Sequence, residues 1–169
     1  AQTETSQKLK RLRTDRGGEF TSKALTTYCE DRGILRQLTA PYTPQQNGVV
    51  ERKNRSVMSM TRSMLKAMNV PQNLWAEATR QAIYIQNRLP TKALKGTTPY
   101  EAVNGKAPNI KHIRIFGCIA YAKVTTPYLK KLEDRSKKMV HLGNENGSKA
   151  YRLYDPIEEK IHISRDVQF

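Results

Sequence analysis

The sequence predicts an α/β segment followed by a small β-barrel, and three observations carry that division. Apolar residues fall at helical spacing along two long stretches between Val49 and Leu89. Beyond Asn104-Gly105-Lys106-Ala107-Pro108 the period switches to alternation, in short runs separated by tight-turn sequences. Ahead of Val49, a thin apolar run broken at Gly17-Gly18 and a second run starting at Ile34 read as strands flanking a helix. A chain of 169 residues has the length for one domain, or for one domain and a smaller second. The boundary is placed between Asn104 and Ile110, giving domains at 1–104 and 111–169.

Each element has a local reason. Residues 9–14 form a short strand, and the glycine pair that follows leaves Asp15 at its end. Thr21 or Ser22 caps a helix reaching about residue 32, with Leu25, Tyr28 and Cys29 on its apolar face and Gly33 as its stop. Residues 34–38 are the next strand. Residues 39–48 hold two prolines and a glycine among polar amides, a loop composition. A helix then covers 49–68, carrying Val50, Val57, Thr61, Met64 and Met68 at helical spacing and ending at Asn69-Val70-Pro71. Trp75, Ala78, Ala82, Ile85 and Leu89 mark a packing helix that ends before Pro90. Thr98-Pro99-Tyr100-Glu101 is a capping box with proline at the first helical position, so a short helix covers 99–103. Strands follow at 113–124, 137–142, 150–154 and 160–163.

Charge narrows the function. Thirty Lys and Arg against fifteen Asp and Glu leave a formal +15, spread along the chain rather than confined to a tail. Such a surface attracts a polyanion, and nucleic acid is the expected partner. Cys29 and Cys118 stand far apart with no second pair, which excludes a disulfide scaffold and points to a reducing, intracellular setting, nuclear or cytoplasmic. His112, His141 and His162 are scattered and lack a cysteine pair for structural zinc. No apolar stretch approaches a membrane span, so no membrane partner is expected. Trp75 and the methionines Met58, Met60, Met64 and Met68 read as core or as a helix-mediated subunit contact.

Asp15 and Glu51 have 35 residues between them. A carboxylate closing a strand and another in the first turn of a later helix offer hard oxygens to Mg²⁺ or Mn²⁺, and the helix N-terminus favours the ionised Glu51. Each also has an ordinary reading, Asp15 as a turn aspartate before Gly-Gly and Glu51 as a first-turn glutamate. Tyr42, Gln45, Gln46 and Asn47 on the loop, and Arg52, Lys53, Asn54 and Arg55 on the helix, are candidate DNA contacts; solvated connector and solvated helix face are the alternatives. Lys137 and Lys138 are candidate backbone contacts on the β-domain, with solubility as the alternative.

Two long segments carry a resemblance. Leu12-Arg13-Thr14-Asp15-Arg16-Gly17-Gly18-Glu19-Phe20-Thr21 and Ala40-Pro41-Tyr42-Thr43-Pro44-Gln45-Gln46-Asn47-Gly48-Val49-Val50-Glu51-Arg52-Lys53-Asn54 closely resemble the integrase core of copia-type LTR retrotransposons, as found in their Pol polyproteins. Arg135-Ser136-Lys137-Lys138, Tyr151-Arg152-Leu153-Tyr154-Asp155-Pro156 and Ser164-Arg165-Asp166-Val167 look like the SH3-like barrel that follows that core. The resemblance implies a partial ribonuclease-H-like α/β core, its first strands missing, in which three carboxylates bind two divalent metals. It matches Asp15 to the second aspartate and Glu51 to the glutamate, as catalytic and metal ligands. It implies DNA integration by 3′-end processing and strand transfer, with element ends and target DNA as partners and a homo-oligomeric assembly.

One departure from the pattern stands out. No aspartate precedes Asp15, and Glu4 is the only acid ahead of it, so the family's first carboxylate and its amino-terminal zinc domain have no counterpart. The expectation is a truncated or degenerate integrase fragment that holds metal weakly and is inactive alone. A non-catalytic nucleic-acid-binding module is the alternative. A cut-and-paste transposase or an RNase H is disfavoured by the SH3-like tail.

Overall fold

The computed structural model describes residues 7–40, 47–125 and 128–169. Thr14 and Thr39 are both buried, and the backbone explains why. Strand β1 (Arg11–Thr14) pairs in parallel with β2 (Leu35–Leu38), in register from Arg11 opposite Leu35 to Thr14 opposite Leu38, and the Thr39 N–H donates to the Thr14 carbonyl at 2.9 Å. A parallel pair needs a crossover, here made by the single turn α1 (Gly18–Thr21) and by α2 (Lys23–Asp31). The Ser22 hydroxyl accepts from the Leu25 N–H at 3.4 Å and starts α2. Gly33, at φ +63°, turns the chain so that the Ile34 N–H reaches the Cys29 carbonyl at 2.8 Å. These elements belong to one compact unit, Ala1–Ser56; the other is Val57–Phe169.

Two sequence expectations change here. Gly18 opens a helical turn instead of prolonging the break, so only Gly17 interrupts the chain. The apolar face of α2 is narrower than predicted: Cys29 is buried, whereas Tyr28 is half exposed and lies under the Arg32 guanidinium, 4.3 Å from its ring centroid.

Helix α3 (Gly48–Ala67) buries Val57 and Thr61 and stops where Asn69 takes a left-handed φ of 49°. A 3₁₀ turn (Gln72–Leu74) leads into α4 (Trp75–Gln86), and a second (Lys92–Leu94) precedes α5 (Pro99–Asn104). The Thr98 half of the capping box forms, its hydroxyl accepting from the Glu101 N–H at 3.0 Å, and Gly105 closes α5 at φ +68°. On α4 the packing is done by Ala78 and Ala82, both fully buried, while Trp75 is 55% exposed; the helix stops at Gln86, short of Leu89, which is 50% exposed. No helix among the described residues is long and apolar enough to cross a membrane.

Strands β3 (Ile119–Lys123), β4 (Ser136–Asn144), β5 (Tyr151–Asp155), β6 (Lys160–Ser164) and β7 (Val167–Gln168) form an antiparallel sheet in the order β6-β5-β4-β3-β7. Among the described residues its edge strands β6 and β7 do not pair with each other, so the sheet is not closed. The strand expected from residue 113 begins only at Ile119. Phe116 is buried, and Gly117 at φ +83° lies so close to Met68 and Val70 that a Cβ there would stand 2.5 Å from Met68 Cβ. The chain turns there, and Gly117 and Cys118 bond to the β4 backbone, through the His141 carbonyl at 2.7 Å and the His141 N–H at 2.9 Å. The two-residue β7 is too short for its alternation to register in the sequence.

Two apolar clusters hold the second unit. Val70, Leu74 and Ala78 from the helical part meet Phe116, Leu142 and Tyr154 from the sheet region. Ala120, Ala122, Met139 and Leu153 pack within the sheet. Truncating a fully buried leucine such as Leu142 or Leu153 to alanine removes roughly 2–5 kcal/mol in such settings. A charged clamp joins the same layers. Glu77 on α4 accepts from Arg152 on β5 through two parallel bonds of 2.7 and 2.9 Å and from Arg80 at 3.2 Å, and Arg152 also reaches Glu145 at 2.7 Å. Burial opposes the Glu77 charge, but the hydrogen bonds and field of Arg152, with Arg80 behind them, outweigh it and lower its pKa.

Candidate metal and nucleic-acid site

Asp15 follows β1 directly, half-buried, where the parallel pair ends. Its Oδ1 accepts the Gly17 N–H at 3.0 Å, and its Oδ2 accepts from Asn47 Nδ2 at 3.2 Å. The second bond crosses 32 positions of sequence and draws the start of α3 against the strand end. Glu51, exposed in the first turn of α3, follows Asn47 by four residues, a spacing that places both on the same side of a helix. Arg16 is oriented by its own bond, Nε donating to the Thr39 carbonyl at 3.1 Å, and Arg36 ties the crossover together by donating to the Phe20 carbonyl and to Thr26 Oγ1.

The remaining expected contacts distribute as follows. Arg52, Lys53, Asn54 and Arg55 are exposed on α3, and the Arg52 carbonyl accepts from the Ser56 hydroxyl at 3.0 Å. Tyr42, Gln45 and Gln46 lie outside the described residues. Lys138 is exposed on β4 opposite Tyr121. Lys137, its neighbour, points its ammonium into an ion pair with both Asp155 and Glu158.

That pairing builds a local electrostatic knot. Asp155 is fully buried, and its Oδ1 accepts the N–H groups of Ile157 at 2.9 Å and Glu158 at 3.2 Å. The Lys137 ammonium holds the Asp155 carboxyl down at about 2, aided by those two backbone donors, while the Lys137 pKa is raised in return. Asp155, Glu158 and His162 are the one group of three ligand-type side chains, among the described residues, whose donor atoms lie within 4.8 Å of one another. A lysine already supplies their counter-charge, so the trio is accounted for as an ion-pair cluster.

For a divalent ion, Asp15 and Glu51 offer a fitting donor chemistry. A carboxylate has about four lone-pair positions, and Asp15 uses one on each oxygen, leaving the others for a hard cation. Glu51 is exposed in the first helical turn, where a negative charge is favoured.

Sequence reasoning passes over the surroundings of Arg88. Its guanidinium lies 3.5 Å from the Tyr84 ring centroid and 4.9 Å from that of Tyr100, and the Tyr84 hydroxyl is 2.6 Å from His112 Nε2. The Tyr84 to Arg88 step of four residues is the available signal. His141, one of three scattered histidines in the sequence, is fully buried on β4 and packs edge-on against Tyr151 and Phe169, with ring centroids 5.6 and 5.1 Å away.

Comparison with known proteins places this architecture. The retroviral polymerase SH3-like domain family matches residues 118–169. Over 166 residues, 98% of this chain, the sequence is 42% identical to the retrovirus-related Pol polyprotein from transposon TNT 1-94 of Nicotiana tabacum, and it covers 12% of that polyprotein. It is 35% identical over 158 residues to the retrovirus-related Pol polyprotein from transposon RE2 of Arabidopsis thaliana, covering 94% of this chain and 11% of that one. The chain thus spans about a tenth of the length of these two polyproteins. The crystal structure of the catalytic core domain of BIV integrase overlays 56% of this chain and 59% of its own, at 29% identity and a TM-score of 0.42. Sequence kinship runs through nearly the whole length of the chain, and its homologues are copia-type retrovirus-related Pol polyproteins of plant transposons, with a retroviral polymerase SH3-like domain where the antiparallel sheet lies.

Proposed function

We propose that this stretch is the later part of a metal-dependent DNA-integration core with its following SH3-like domain, the first assigned to residues 1–104 and the second to 111–169. Asp15 and Glu51 serve as two of the three carboxylates that hold divalent ions, Mg²⁺ or Mn²⁺. The observation that carries this reading is the Asn47 to Asp15 bond of 3.2 Å, which brings the start of α3, and with it the helix bearing Glu51, to the strand-end carboxylate. Divalent ions bound there would supply Lewis-acid stabilisation of an in-line displacement at phosphorus, the chemistry of end trimming and strand joining. The chain's own groups do the rest. Asn47 fixes the rotamer of Asp15, and the Gly17 N–H holds its other oxygen. Arg52 and Arg55, exposed on the same helix, engage phosphates of element-end and target DNA, joined by Lys53 and Asn54 and by the loop residues Tyr42, Gln45 and Gln46. Lys138 tracks the DNA backbone on the sheet, while Lys137 is committed first to Asp155 and Glu158. The complete enzyme acts as a homo-oligomer and uses a third carboxylate beside Asp15 and Glu51.

The test uses two readouts. Calorimetric titration of this chain with Mn²⁺ should give a weak binding isotherm that Asp15→Asn and Glu51→Gln each abolish. In the longer polypeptide that carries the third carboxylate, the same substitutions should stop Mg²⁺-dependent strand joining and leave duplex affinity within about twofold, because a neutral amide preserves shape and removes only a metal ligand. Turnover unchanged by both substitutions would refute the assignment. A second reading, a non-catalytic DNA-binding module, draws on the two hydrogen bonds that already occupy Asp15, the pattern of a structural turn aspartate. It predicts duplex binding that falls with salt and no response to Mn²⁺ at all.

A further inference from the structure

Between the end of α4 and the turn joining β4 to β5, the second unit holds a cleft of about 670 Å³ that the reading above leaves unused. Tyr84 and Arg88 line it from the helix side, Asn144 and Lys149 from the turn, and His112 and Tyr151 complete its walls. Part of the lining is already fixed in place. The Arg88 guanidinium carbon stands 3.5 Å from the Tyr84 ring centroid and 4.9 Å from that of Tyr100, and its Nη1 donates to the Tyr84 carbonyl at 3.1 Å. The guanidinium donors that these contacts leave over suit a phosphate.

Charge in the cleft favours an anion. The one carboxylate of the lining, Glu145, is neutralised by Arg152 at 2.7 Å, which leaves the cations Arg88 and Lys149 in excess. The lining also holds an unmet polar group. Asn144 is only 8% exposed, and its Oδ1 has no hydrogen-bond partner, a costly state for a buried amide. Cations for a phosphate, an amide for a base edge and tyrosine rings for a base plane are together the requirements of a single nucleotide. Duplex DNA cannot offer one there, because its bases are stacked inward.

We infer that this cleft binds an unpaired nucleotide at a single-stranded nucleic-acid end, with Arg88 and Lys149 on its phosphate and Tyr84 and Tyr151 beside its base. The inference rests on the reading of the chain as a nucleic-acid-binding protein and adds a strand-end subsite to it. The site engages unpaired ends, whereas the exposed cations of α3 engage duplex.

Fluorescence anisotropy on this chain, with a labelled single strand of about ten nucleotides and a blunt duplex of the same sequence, tests it. Lys149→Glu lies on an exposed turn and leaves the fold intact by circular dichroism. It should weaken single-strand binding roughly fivefold or more and reduce the log–log salt slope by about 0.7, the value for one fewer phosphate neutralised on a single strand. Duplex affinity should move less than about twofold. Arg88→Lys, which keeps the charge and removes the fork, should also weaken the single strand selectively. A mononucleotide should compete better than inorganic phosphate. Equal losses on single strand and duplex, no loss in either variant, or competition by inorganic phosphate as strong as by the mononucleotide would overturn the cleft assignment alone. Failure of the unaltered chain to bind either form of DNA would overturn the underlying reading as well.

Discussion

Gly143 sits at the bulge in β4, where pairing with β5 shifts register between His141 and Gly143, and its substitution by alanine gives the sharpest test of how helix and sheet fit together. Two costs add. The first is conformational: φ is +120°, a region that side-chain-bearing residues adopt at roughly 1–3 kcal/mol. The second is steric. A Cβ on Gly143 would stand 2.3 Å from Gln81 Oε1 and 2.8 Å from its Cδ, and Gln81 is 1% exposed on α4 with nowhere open to retreat. Forcing a packed side chain off its position costs typically 1–3 kcal/mol. Gly143→Ala should therefore destabilise by roughly 2–6 kcal/mol, a large share of the roughly 5–15 kcal/mol typical of a folded domain. Chemical denaturation gives the number, and a double-mutant cycle separates its parts. Gln81→Ala deletes the clashing amide, whose Nε2 is in any case buried without a partner, so the pair should lose less than the sum of its members by about 1–3 kcal/mol. Additivity within about 0.5 kcal/mol would show that the clash is absent and the reasoning wrong.

Acid should loosen the β5–β6 hairpin through Asp155. Its folded pKa is depressed to about 2, so its contribution is fully present above the unfolded value near 3.8 and is lost as pH falls through the folded one. Melting temperature followed from pH 5 to pH 2 should fall across that window, and Lys137→Met should flatten the drop; an unaltered profile in the variant would refute the pairing. Glu77→Gln should cost about 1–3 kcal/mol in urea denaturation, less than a fully buried pair because both partners keep some solvent contact and Arg152 retains Glu145. A loss below about 0.5 kcal/mol would show that the clamp is ornamental.

Much of this fold is legible because its signals are local. The Thr98 cap, the Ser22 cap that the sequence offers beside Thr21, and the Gly33 stop each act within a few residues, and each forms. Boundaries fail where distant packing overrides pattern. Residues 113–118 alternate like a strand, but burial of Phe116 against the helical part turns them aside. The Asp15 and Glu51 segments are visible as long matched motifs, whereas the role of Asn47 as the hydrogen-bond donor to Asp15 depends on the folded path and not on spacing. Lys137 looks like any basic surface residue; only the hairpin that brings Asp155 and Glu158 to it reveals its commitment. The Arg88 cleft is illegible for the same reason, since its second wall comes from a turn some sixty positions away.

Glu77 receives arginines from its own helix and from β5, and the adjoining apolar cluster is shared by the same two layers. Opening the sheet therefore leaves the Glu77 carboxylate with Arg80 alone and uncovers Ala78 and Leu74 in one event. Amide protons of α4 and of the central strands should thus exchange with solvent at a common rate, as one cooperative block, and a ligand that tightens either layer will slow the breathing of both.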